Sequence, residues 1–208
     1  MDNKNETPVS NTPAHAKSNG NSAKKAVASI FEIFEMFAVC TAVILLLFSY
    51  VAKLTIVEGS SMEDTLYEND YLIVQDIGYT PERGDIVVIH KITAKLGRPN
   101  AEPIIKRVIA VEGDTVDIDF DTWTVYVNGE AIDEPYTNLE DTPSSFGTQF
   151  PLTVEENKIF VLGDHRNHSA DSRVSEIGQV DVRCVVGRAV LRVLPFEKFG
   201  IMERAKYD

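Results

Sequence analysis

The chain has 208 residues, of which 44% are hydrophobic, and a formal net charge of −12. That apolar content supports a folded core rather than a disordered chain. The acidic balance excludes a nucleic-acid partner, since phosphate binding is driven by Lys and Arg.

Met1 to Lys25 is rich in Asn, Ser, Thr, Pro, Lys and Ala. Such a segment buries too little apolar surface to offset its chain entropy, so residues 1–25 are expected to form a disordered tail. From Ala26 onward, past Glu35, Ile30, Phe31, Phe34 and Phe37 recur at helical spacing. The following run, Met36 to Ala52 ("MFAVCTAVILLLFSYVA"), carries no charge. At ~1.5 Å per residue it covers roughly 25 Å, slightly short of a ~30 Å hydrocarbon core. Lys53 can snorkel at one end and the amphipathic turn lengthens the other. Residues 26–53 therefore read as one transmembrane anchor. The alternatives are a buried core helix and a cleaved signal sequence, but "SYVAKLTIVEG" offers no good small-x-small cleavage site. Lys17, Lys24 and Lys25 precede the span, whereas Lys53 and then acidic residues follow it. The positive-inside rule places the tail in the cytoplasm and residues 54–208 outside it.

Beyond the anchor the pattern is that of strands. "DYLIVQDI" and "GDIVVIH" flank the turn "GYTPER". "PIIKRVIAVEGDTVDID" alternates apolar and polar residues over much of its length, and "WTVYVNGEAI" holds Asn128-Gly129, a strong hairpin signal. "NKIFVLGD" and "RCVVGRAVLRVL" complete the series, with "NLEDTPSSFGTQFPL" read as a loop. The expected fold is all-β: an antiparallel β-domain, a partly closed barrel or sandwich, tethered by one amino-terminal helix. Cys40 and Cys184 fall in the anchor and in a late strand, so no disulfide joins them. No Cys-x-x-Cys pattern appears, and neither metal nor cofactor is expected.

Two adjacent serines, Ser60 and Ser61 in "VEGSSMEDTL", follow the anchor. A serine hydroxyl is a poor nucleophile until a base takes its proton. Among the four histidines, His15 lies in the tail, His90 follows a strand, and His165 and His168 share a loop beside Asp164. A Ser-His-Asp triad and ordinary loop hydrogen bonding both fit that spacing. Lys106 is the other candidate. Pointing to solvent from a half-buried strand, it is ordinary. Pointing inward, it loses solvation, and its pKa falls from ~10.4 toward that of a usable base. Spacing alone leaves both open.

The segments "GSSMEDTL", "RGDIVV", "IIKRVIAVEGD", "VYVNGEAIDEPY" and "GDHRNHSADSR" resemble, in order, the conserved boxes of the type I signal peptidases, membrane-anchored serine proteases with a Ser-Lys dyad. The likeness spans the anchor and Val57 to about Val193. It implies Ser61 as nucleophile, since the family places Met directly after it, with Lys106 as general base. It further implies that Ser169 orients the lysine, that Asp171 and Arg173 support that loop, and that Asp164 and Arg166 help shape it. The backbone N–H at Ser61 would serve as oxyanion donor. The implied substrates are exported preproteins, cut after small residues at positions −1 and −3, with the lipid bilayer as the shared setting. Departures from the family pattern are Gly59 in place of a hydroxyl residue, Asp64 for Pro, Ala110 and Glu112 for Gly and Pro, and His165 for Asn. None removes a reacting group. Two rivals remain: a self-cleaving repressor-type Ser-Lys protease, which would carry a DNA-binding region, and an idle tethered β-domain that binds exported proteins.

Overall fold

The computed structural model describes residues 19–50, 52–90, 103–139 and 147–207. The chain divides into two units, Met1–Leu46 and Leu47–Asp208. Helix α1 (Asn19–Tyr50) runs through the first unit to its end and holds Val27–Leu46, twenty residues long and apolar enough to cross a membrane. Phe31, Phe34 and Phe37 along it are exposed.

The helix begins at Asn19, within the stretch whose composition suggested disorder; residues 1–18 of that tail, including His15, lie outside the described residues. Ala23, Lys24, Lys25 and Ala26 are good helix formers. Extending a nucleated helix costs far less than starting one, so the apolar segment carries the turn before it.

Among the described residues, the strand pairings in the second unit's two sheets are antiparallel, as expected, beside one isolated parallel bridge between Asn138 and His165. Its larger sheet runs β1 (Ala52–Ile56), β2 (Tyr71–Gln75), β11 (Val185–Leu194), β3 (Ile86–Ile89), β4 (Ile104–Val111), β9 (Lys158–Leu162) and β10 (Val180–Asp181), with β12 (Gly200–Ile201) paired to β11. The smaller sheet runs β7 (Glu130–Ala131), β6 (Thr124–Val127), β5 (Thr115–Asp119) and β8 (Leu152–Thr153). Asn128 and Gly129, both at positive φ, make the two-residue turn between β6 and β7. A primed turn needs that geometry to match strand twist.

Three differences from the sequence reading have physical causes. Strand β1 starts at Ala52, inside the span assigned to the anchor. Its Lys53 and Thr55 break the apolar run, and its pairing with β2 supplies the backbone partners. Strand β8 lies in the stretch read as a loop, and residues 140–146 of that loop are outside the described residues. Finally, β4 shows no alternation: residues 105–110 are all buried. The smaller sheet covers one face of β4 through Val116, Ile118, Val125 and Val127, which pack on Ile109, Ala110, Phe160 and Leu162. A strand covered on both faces loses the two-residue period. Two charged residues, Lys106 and Arg107, thereby become interior.

Candidate active site

The turn between β1 and β2 presents Ser61. Met62 and Leu66, essentially fully buried, sit in a core cluster with Val57, Leu72, Val74, Ile86, Val88 and Ile105. Burying one such side chain contributes roughly 1.5–3 kcal/mol, so Met62 acts as a plug that fixes its neighbour. The N–H groups of Thr65 and Leu66 both donate to the Met62 carbonyl, at 2.8 Å, and close the turn.

Lys106 leaves β4 toward this turn, 3% exposed. Its Nζ lies 2.7 Å from Ser61 Oγ and 2.8 Å from the carbonyl oxygen of Ile105. Burial pushes its pKa down to about 8; the Asp171 and Asp164 carboxylates pull the other way, and the Arg173 charge assists the lowering. The inward alternative for Lys106 is therefore the observed one. An amine with that affinity for protons is neutral in a useful fraction near pH 8.

The loop from Gly163 to Arg173 closes the site from the end of β9. Asp171 and Arg173 are both fully buried and form a two-pronged ion pair at 2.8 Å. Asp171 also accepts the Gly163 N–H at 3.0 Å, while Arg173 donates to the Arg166 carbonyl at 2.7 Å. Burial works to raise the Asp171 pKa, but the Arg173 pair and the Gly163 N–H outweigh it and hold it below its usual range. Ser169 is buried in the same loop. Its Oγ has no partner at hydrogen-bond distance among the described residues, so the structure places it beside the site without the expected bond to Lys106.

Gly163 shows how tightly this loop fits. A Cβ added there would stand 2.2 Å from Ser169 Oγ and 2.5 Å from the Ser61 carbonyl oxygen. The backbone of the loop thus approaches the serine turn as only glycine allows.

Asp164 and Arg166 are held by partners that sequence reasoning missed. Asp164 accepts from Arg107 at 2.6 and 2.9 Å and from Thr65 Oγ1 at 2.5 Å. Arg166 pairs with Glu134 through both nitrogens of its fork and donates to the Gly163 carbonyl. The Arg107 guanidinium stacks over the Tyr136 ring, 3.8 Å from its centroid. Adjacency in "KR" was the available signal for Arg107; Glu134 and Tyr136 lie within the quoted box "VYVNGEAIDEPY", but nothing in it pointed to these partners.

The histidine alternatives do not meet the serine hydroxyl. His165 Nδ1 lies 3.2 Å from the carbonyl oxygen of Ser60, not at Ser61 Oγ. His168 is exposed, with its ring centroid 4.5 Å from that of His165 in an edge-to-face arrangement, and His90 is exposed at the end of β3. Ser60 is half-buried and contributes its carbonyl to the turn, accepting the Glu63 N–H at 3.2 Å. Asp64 is exposed and takes Tyr67 Oη at 3.3 Å. Gly59 adopts φ +75° in open space, so the residue two before Ser61 lends no side chain to the site.

A nucleophile candidate, a buried amine in contact with it, and a loop held by buried ion pairs form an arrangement suited to acyl transfer. Residues 30–194 match the family model described as signal peptidase, peptidase S26. A probable signal peptidase I-2 from Synechocystis is 38% identical over 158 residues, covering 74% of this chain and 68% of the relative. A signal peptidase I from Leptolyngbya laminosa is 33% identical over 206 residues, covering 96% of each. A crystal structure of a signal peptidase I from Enterococcus faecalis is 29% identical, covering 54% of this chain and 98% of that one, with a TM-score of 0.41.

Proposed function

The chain belongs to the signal peptidase family, peptidase S26, serine hydrolases acting on preproteins that carry signal peptides, and within it we propose that Ser61 is the nucleophile and Lys106 its general base. One observation carries this assignment: the buried Lys106 amine lies 2.7 Å from Ser61 Oγ.

The reaction then runs as two acyl transfers. Neutral Lys106 takes the Ser61 proton as Oγ forms a bond to the scissile carbonyl carbon, whose oxygen becomes an oxyanion. The Ser61 backbone N–H faces that charge, a contribution whose loss costs ~3 kcal/mol. Collapse breaks the C–N bond, and the departing amine, the new amino terminus of the mature protein, receives the proton from Lys106. Water, deprotonated by the same amine, then attacks the ester and releases the signal peptide with Ser61 restored. Asp171 and Arg173 hold in place the loop that carries Ser169.

An extended peptide adding to the strands near Ser61 and Lys106 would be read through main-chain hydrogen bonds, with shallow pockets admitting small residues at −1 and −3. Helix α1 serves as a single-pass anchor in this reading, its lysine-bearing end cytoplasmic and the β-unit outside. The substrate's own apolar segment lies in the same bilayer, so enzyme and cut site meet in two dimensions.

The test is cleavage of a preprotein with an Ala-x-Ala site by the full chain in detergent. Ser61→Ala should abolish cleavage while Ser60→Ala retains it. Loss in Ser60→Ala with activity kept in Ser61→Ala reverses the assignment.

A further inference from the structure

His165 touches neither the proposed nucleophilic oxygen nor the amine, yet it grips the serine turn twice. Its backbone N–H donates to the Ser61 carbonyl at 3.2 Å, and its Nδ1 lies 3.2 Å from the Ser60 carbonyl oxygen. A carbonyl only accepts, so Nδ1 carries the proton in this contact. The ring is 4% exposed, with the His168 ring against it and the Glu63 carboxylate 3.7 Å from Nδ1.

The two carbonyls flank one critical group. The Ser60 carbonyl and the Ser61 N–H belong to the same planar peptide, which rotates as a unit. A donor fixed on its oxygen sets the direction in which its N–H points. Hydrogen bonds along such a chain also polarise one another, so the N–H becomes a stronger donor. The Glu63 N–H, also 3.2 Å from the Ser60 oxygen, holds the same carbonyl from within the turn.

We propose that His165 is a positioning residue for oxyanion stabilisation, clamping successive carbonyls of Ser60 and Ser61 so that the N–H between them is aimed at, and polarised for, the charge on the scissile carbonyl. This rests on the assignment of Ser61 as nucleophile and of its own N–H as oxyanion donor. The effect belongs to the transition state, where charge develops, and not to substrate binding.

Kinetics of the full chain at pH 9, above the Lys106 titration, test it. His165→Leu, which keeps the backbone contact and loses the imidazole, should lower kcat roughly ten- to hundredfold with KM within about twofold. Affinity for a peptide boronate, which forms a tetrahedral adduct on a serine, should fall by the same factor. His165→Asn, whose side-chain N–H can reach the same oxygen, should restore kcat to within roughly threefold of the native chain. Equal loss in both variants, a loss confined to KM, or an unchanged kcat in His165→Leu overturns the inference. Should His165→Leu fail to fold, nitrogen NMR of the native chain decides: a protonated Nδ1 supports the clamp and an unprotonated one overturns it. Cleavage surviving in Ser61→Ala overturns both this inference and the assignment beneath it, whereas cleavage lost there but untouched in His165→Leu overturns the inference alone.

Discussion

Arg107 holds Asp164 by two bonds, Nη2 at 2.6 Å and Nε at 2.9 Å, with both side chains almost wholly buried. The arginine adjoins Lys106 on β4, and the aspartate opens the loop that carries Ser169, Asp171 and Arg173. Breaking a buried pair by removing one partner leaves an uncompensated charge and costs about 3–5 kcal/mol. Asp164→Leu and Arg107→Met should each lower stability by that amount in chemical denaturation. The double variant should recover most of the loss, because neither charge then remains. Additive losses would show that the two side chains act independently.

Lys106→Arg keeps the charge but not the chemistry, since a guanidinium stays protonated at any usable pH. Cleavage by that variant should be undetectable. Robust cleavage would transfer the base role to another group.

Lys106 also carries a stability signature. Its folded pKa of about 8 lies below the ~10.4 of an unfolded lysine, so the unfolded chain binds the extra proton between those values. Stability of the native chain should therefore rise with pH from about 8 to about 10.4, the penalty being fully present below 8. At pH 7, Lys106→Met should be more stable than the native chain by up to about 3 kcal/mol while inactive. That gain should fade above pH 10. A methionine variant destabilised at pH 7 would contradict the burial cost.

Gly163→Ala should cost activity about a hundredfold or more, because its Cβ collides with Ser169 Oγ and the Ser61 carbonyl, and misplacing a reacting group by about 1 Å is enough for such a loss. Gly200→Ala, where a Cβ meets open space at ordinary φ, should leave cleavage unchanged. Full activity in Gly163→Ala would mean that the loop moves freely away from the serine turn.

What was legible in the sequence is what short stretches determine. The Asn128-Gly129 turn, the strands around "LIVQ", "IVVI" and "KIFVL", and the apolar helix each follow from local chemistry. Ser61 and Lys106 were paired only by the family resemblance; their surroundings left the lysine inward or outward, because its direction depends on β4 being covered from both sides. The partner of Arg107 was not legible either, since Asp164 lies 57 residues away along the chain. Glu134 and Arg166 are likewise 32 residues apart and pair only after the fold forms. Strand β1 escaped notice because its first residues, Ala52 and Lys53, were read as the end of the anchor, and pairing with β2 distinguishes them.

The most direct test of the central claim is the pH dependence of kcat/KM for a preprotein with an Ala-x-Ala site, since this profile reports the free enzyme's base. Activity should climb tenfold per pH unit at acid pH and level off through a single inflection near 8, where burial places the Lys106 amine. An inflection near 6.5, the ordinary range of histidine, that persisted when Lys106 was replaced would contradict the account.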